Sequence, residues 1–209
     1  MLFIQTLWTN PVYFFTVCLI VTFSVCLHEY FHAWMGVREG DYTLQDHLTL
    51  NPVKQMGFMS LLMMAFFGIA WGGVPVNPTL LRGRWSMLKV SVAGPFANFV
   101  LFLAGGILLG ISYRVPGLEE QARTMLQQFL ALFGIYNFVL LSFNLIPAPG
   151  LDGWHILASI FPKLNSVSSE VIKGFMLFIM LIAFLGVNFL FVIGSLLVSL
   201  IAHLIGGGA

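Results

Sequence analysis

Charged side chains are scarce in this chain. Its nine Lys and Arg and eight Asp and Glu are 8% of 209 residues, where a soluble domain carries about 25%, so they cannot build a water-facing surface. The formal net charge of +1 leaves no basic stripe for nucleic acid and excludes it as a partner. Cysteine is scarcer still. Cys18 and Cys26, eight residues apart on one helix, stand about 12 Å from each other, too far for a disulfide; they carry no information on redox compartment. The N-terminus lacks a basic region and a small-residue cleavage site, so the first apolar run is expected to be retained rather than removed as a signal peptide. Repeats, low-complexity tracts and interdomain linkers are missing too. Residues 1–209 are therefore expected to form a single membrane-embedded domain, with a core over about residues 11–160 and C-terminal helices over 172–205.

What fills the chain is apolar. Hydrophobic residues make up 59% and mean hydropathy is +0.95. The charges gather into clusters that leave five charge-free runs, residues 1–27, 55–81, 90–113, 124–151 and 174–209. Each run matches or exceeds the roughly 20 residues of a spanning helix. The pattern predicts helices over about residues 11–35, 56–71, 87–112 and 125–146, with the Gly- and Pro-rich residues 72–81 extended. The last run, 172–205, is too long for one span, and Gly186-Val187-Asn188 reads as a break between two helices. Gly106 and Gly110 form a small-residue pair suited to helix packing. The expected fold is an all-α polytopic membrane protein of about five to six transmembrane helices, with a re-entrant or extended segment around residues 55–81.

Charge distribution chooses between two topologies. If every apolar run crosses once from an external N-terminus, Arg38, Lys54, Arg114 and Arg123 fall inside and Arg82, Arg84, Lys89, Lys163 and Lys173 outside, with no bias. If residues 55–81 enter and return to the same side, the inside instead holds all but Arg114 and Arg123. The positive-inside rule favours the re-entrant version. That version also brings Asp152, just beyond the fourth apolar run, to the membrane side that holds His28 and His32.

One group of ionisable residues lies where charge is most costly. His28-Glu29-Tyr30-Phe31-His32 follows residues 12–27, whose plainly polar side chains are only Thr16, Thr22 and Ser24. His28 is about 26 Å along a helix from Pro11, in the inner part of a hydrocarbon core about 30 Å thick. Ionisable residues at that depth default to a functional reading. Spaced four apart, the two imidazoles share a helix face and can share one metal ion, with Glu29 placed to take a proton from water. Catalytic zinc commonly has three protein ligands, so a third is needed. His47, Asp152, His155 and His203 are candidates. Asp152 is the best of them, because a carboxylate at the embedded end of a helix is costly unless a cation neutralises it. His155 reads as a neighbour of the site or a helix-start residue, His47 as solvated, and His203 as interfacial. Asn98 reads as a helix-interface hydrogen-bonding residue or an active-site neighbour, with the former favoured.

Five stretches carry a family resemblance: HExxH in an apolar helix, Thr49-Leu50-Asn51-Pro52, residues 71–78, Gly94-Pro95-Phe96-Ala97-Asn98, and Asn144-Leu145-Ile146-Pro147-Ala148-Pro149-Gly150-Leu151-Asp152-Gly153. Together they resemble the site-2 protease family of intramembrane zinc metalloproteases, in its compact branch without PDZ or CBS domains. The likeness spans about residues 25–160. The resemblance implies one catalytic zinc ion held by His28, His32 and Asp152, Glu29 as catalytic base, and Asn144 positioning substrate or the tetrahedral intermediate. It implies cleavage of transmembrane substrates within the bilayer, in the plasma (inner) membrane of a prokaryote, with the active site toward the cytoplasm. A non-enzymatic membrane metal-binding protein or transporter is the alternative, and Glu29 discriminates, since a carrier needs no general base beside its first ligand. Residues 72–78 offer a backbone edge for an unwound substrate.

Overall fold

The computed structural model describes residues 2–166 and 169–207, and among them there are helices but no strands. After short helical turns at Phe3–Gln5 and Thr6–Thr9, helix α1 runs Pro11–Glu39. Its start is written in the chain: Pro11 takes the first helical position and Asn10 Oδ1 accepts from Tyr13 N–H at 3.1 Å. Its end is Gly40, left-handed at φ 117°. The remaining helices are α2 (Pro52–Phe67), α3 (Ser86–Ser112), α4 (Glu120–Asn144), α5 (Asp152–Ile160) and α6 (Ser169–Gly206). Helices α1, α3, α4 and residues 185–206 of α6 are each long and apolar enough to cross a membrane, while α2 is a shorter apolar helix.

Residues 52–82 enter and return. Helix α2 is capped by Asn51, bends at Gly57 (φ 75°, ψ 160°) and ends at Gly68 (φ 73°). Gly68 lies against Phe3, which stacks on Phe14 near the start of α1. The chain then comes back extended along α1. Ser60 Oγ accepts from Trp71 N–H at 2.9 Å and donates to its carbonyl at 2.6 Å. Gly73 N–H donates to the Gln55 carbonyl at 3.1 Å. Asn77 N–H donates to Asp41 Oδ2 at 2.8 Å, and Arg82 N–H to the Glu39 carbonyl at 3.0 Å. These bonds replace the ladder that an extended segment lacks when no neighbouring strand exists.

Helix α3 is central and packs on α1, α4, α5 and α6. Glycines bring the backbones close, since a Cβ on Gly105 would lie 2.6 Å from Gly134 Cα of α4. Gly106 and Gly110 face Ile201 and Ala202 of α6, the packing role expected of that pair. The expected break at residues 186–188 is not made. Gly186 and Asn188 lie within the continuous α6, whose 38 residues reach about 57 Å. A break there would leave backbone N–H and C=O groups without intrahelical partners, and the unbroken helix keeps those of residues 186–188 paired.

Candidate metal centre

Helix α1 presents His28, Glu29 and His32 to the interior, where they are 5%, 7% and 7% exposed. Asp152 arrives as the first residue of α5. Gly153 makes that placement possible: a side chain there would overlap the Leu145 and Ile146 carbonyls, against which α5 turns back. His28 Nε2 and His32 Nε2 stand 2.9 Å apart, and the Asp152 carboxylate oxygens lie 3.0 Å from the first and 3.2 Å from the second. Gly94 closes the other side, since a Cβ there would overlap both Nε2 atoms.

The other ring nitrogens decide what these three groups can do. His32 Nδ1–H donates to the Val90 carbonyl at 2.7 Å, which can only accept. His28 Nδ1–H donates to Asn98 Oδ1 at 2.5 Å. With both hydrogens committed at Nδ1, each neutral imidazole offers an Nε2 lone pair to the same point. Asp152 Oδ2 is buried without a hydrogen-bond partner. Three acceptors therefore converge with no donor between them, an arrangement that repels itself unless a cation sits at the centre. Tetrahedral zinc with bonds of about 2.0–2.2 Å sets its ligand atoms about 3.3 Å apart, so the donor set and spacing fit that ion. Among the described residues no other three His, Cys, Asp or Glu side chains converge in this way.

The site opens into a cavity of about 910 Å³. Glu29 and Asn144 line it together with the three converging side chains. The Glu29 carboxyl packs on the backbone of Gly72, where a Cβ would lie 2.5 Å from Oε1. Asn144 lines the cavity, and its Nδ2 donates one hydrogen to the Leu140 carbonyl at 3.1 Å. His155 lines the cavity wall but stays out of the converging cluster; burial pulls its imidazole below the ordinary histidine range. His203 is exposed near the end of α6.

One sequence expectation needs correction here. His47 is half-buried, with Nδ1 shielded from solvent and unpartnered among the described residues, because the loop carrying it folds under Gln55. Asn98 lies at a helix interface, as expected, and also neighbours the site through the ring of His28. Sequence reasoning passed over Asn137, which contacts Asn98, and Asp41, which holds Asn77. The available signal for Asn137 was its position as an amide in an apolar run.

The model of peptidase family M50 matches residues 105–187. YwhC of Bacillus subtilis, named provisionally as a zinc metalloprotease, is 34% identical over 179 residues, covering 80% of this chain and 79% of its own length. The chain belongs to peptidase family M50. Rip2 of Mycolicibacterium smegmatis, also provisionally named a zinc metalloprotease, is 33% identical over 76% of this chain and 63% of its own length. A zinc metalloprotease of Methanocaldococcus jannaschii is 23% identical over 92% of the chain and 50% of its own length. No solved structure gives a significant match. The chain is thus a membrane zinc metalloprotease of the site-2 protease family, with zinc as its cofactor. Its apolar helices make it an integral membrane protein in a lipid bilayer.

Proposed function

We propose that this protein cleaves peptide bonds in or near the transmembrane segments of membrane proteins. His28, His32 and Asp152 are the zinc ligands, Glu29 is the base, and Asn144 positions the substrate. The observation that carries this reading is the shared cavity: Glu29 and three converging acceptors open on the same space as an extended backbone, residues 72–76. A bound zinc ion supplies a Lewis acid that acidifies water and polarises a peptide carbonyl. Glu29 takes the proton of the attacking water and returns it to the leaving amine. The free N–H of Asn144 steadies the oxygen on which charge develops.

A helical substrate hides its carbonyls in its own hydrogen bonds and must unwind to be cut. The N–H groups of Gly72 and Val74 have no hydrogen-bond partner among the described residues, while those of Gly73, Val76 and Asn77 are taken. Pro75 and Pro78 contribute none. The segment therefore offers a short, one-sided edge to an unwound peptide. The active site faces the cytoplasm of a prokaryotic inner membrane, the side to which the positive-inside rule assigns Arg38, Arg82 and Arg84.

The test is a set of purified variants assayed for zinc content and for cleavage of a transmembrane test peptide. Changing His28, His32 or Asp152 to Ala should empty the site. Glu29→Gln should keep the zinc and lower cleavage about 10²–10⁴-fold, roughly 3–5 kcal/mol of barrier. Full zinc retention in all three ligand variants would sink the site, and undiminished proteolysis in Glu29→Gln would move the base elsewhere. Metal flux without proteolysis would favour a transporter.

A further inference from the structure

Behind His28 runs a buried chain of amides that crosses three helices. Asn98 of α3 and Asn137 of α4 are both 0% exposed. His28 Nδ1–H donates to Asn98 Oδ1. Asn98 Nδ2 donates to Asn137 Oδ1 at 3.0 Å, and Asn137 Nδ2 donates to the Phe133 carbonyl at 2.9 Å. An amide can present either its oxygen or its nitrogen, so each asparagine alone is ambiguous toward its neighbour. The last member is not, because a backbone carbonyl only accepts. Phe133 therefore fixes the orientation of Asn137, which obliges Asn98 to point its nitrogen at α4 and its oxygen at His28.

We infer that Asn137 is a positioning residue for the metal site, holding the Asn98 amide in the orientation that keeps the His28 hydrogen on Nδ1 and its Nε2 lone pair free for zinc. The inference rests on the metal-site reading given above. Without Asn137, the Asn98 amide is free to turn over and face Nδ1 with its N–H. The ring hydrogen then belongs on Nε2, the atom that must give its lone pair, and zinc binding has to work against that tautomer. Partners of this kind typically govern metal affinity by 10–100-fold. A bare Asn–Asn contact between membrane helices would serve packing alone, and its loss would lower stability without choosing a tautomer.

The two accounts separate on rescue. Asn137→Leu keeps the branched shape and the number of side-chain heavy atoms and removes the acceptor. Asn98→Asp offers two equivalent acceptor oxygens and no donor, so it cannot turn the wrong way and does not need Asn137. Full-length protein in detergent micelles is titrated with zinc against a competing chelator. Zinc-free samples with ring-¹⁵N histidine are read for the His28 tautomer, its signal assigned as the one lost in His28→Ala. Asn137→Leu should weaken zinc binding about 10–100-fold and move protonation from Nδ1 toward Nε2. Adding Asn98→Asp to that variant should recover most of the affinity and the Nδ1–H signal. Wild-type affinity and tautomer in Asn137→Leu overturn the inference, as does failure of the double variant to recover. If Asn137→Leu does not fold, Asn137→Asp decides: its neutral carboxyl keeps a donor for Phe133 and an acceptor for Asn98, so it must bind zinc like wild type, and a loss overturns the inference. Zinc retained in His28→Ala would instead overturn the metal-site reading itself.

Discussion

Replacing Gly72 by Ala tests whether the Glu29 carboxyl stands where the chemistry needs it. The added Cβ would lie 2.5 Å from Glu29 Oε1 and 2.7 Å from Cδ, where ordinary contact begins at 3.4 Å. Glu29 Cγ would lie nearer still, so the side chain must withdraw by roughly 1 Å, since repulsion at these separations is steep. A misplacement of about 1 Å at a reacting group costs about 10²-fold in rate, or roughly 2.7 kcal/mol. The three atoms nearest that Cβ all belong to Glu29 and none to the proposed ligands His28, His32 and Asp152, so metal content should stay at the wild-type level. Gly94→Ala makes the opposite prediction. Its Cβ would overlap Nε2 of both His28 and His32, so zinc should be lost and activity with it. Gly73→Ala is the steric comparison, because its Cβ meets nothing within 4 Å, and it should cost far less activity than Gly72→Ala. The assay is kcat on a transmembrane test peptide in detergent, with zinc per protein measured on the same samples. A Gly72→Ala enzyme retaining wild-type kcat, or losing its zinc, would refute the placement of Glu29 against this backbone.

Asp41 is 0% exposed and accepts from Thr43 N–H and from Asn77 N–H, tying the extended segment to the loop after α1. Asp41→Ala should loosen residues 74–77 and raise KM for a membrane substrate while zinc content is kept; loss of zinc in step with KM would refute a role confined to this segment. Topology is checked by cysteine labelling at exposed positions: Arg38→Cys and Arg84→Cys should react from the cytoplasmic side and Glu120→Cys from the other, and labelling of Arg84→Cys from outside alone would overturn the fold-back.

Much of this was legible because membranes restrict what a chain can do. Without water in the bilayer every backbone group must be satisfied locally, so long apolar runs become helices, and α1, α3 and α4 lie close to the boundaries read from residues 11–35, 87–112 and 125–146. The same restriction made ionisable residues conspicuous. His28, Glu29 and His32 stood out inside the first of those runs, and Asp152 as a carboxylate just beyond the last of them. The break expected in the last run failed because Gly and Asn each cost a helix interior at most about 1 kcal/mol, which does not outweigh the continuous ladder of α6.

The sequence by itself determined the helical class, the extended return of residues 72–81 and the pairing of His28 with His32 on one helix face, since each of these follows from local composition and spacing. Tertiary structure alone decided how those residues are used. Asn98 and Asn137 are 39 residues apart and His28 lies 70 residues from Asn98, so nothing in their spacing announces that one amide orients the next. Gly72 and Gly94 are likewise ordinary glycines until packing sets one against Glu29 and the other against His28 and His32. Orientation of a ring or an amide is a property of its partners, and partners distant along the chain are chosen only when the helices pack.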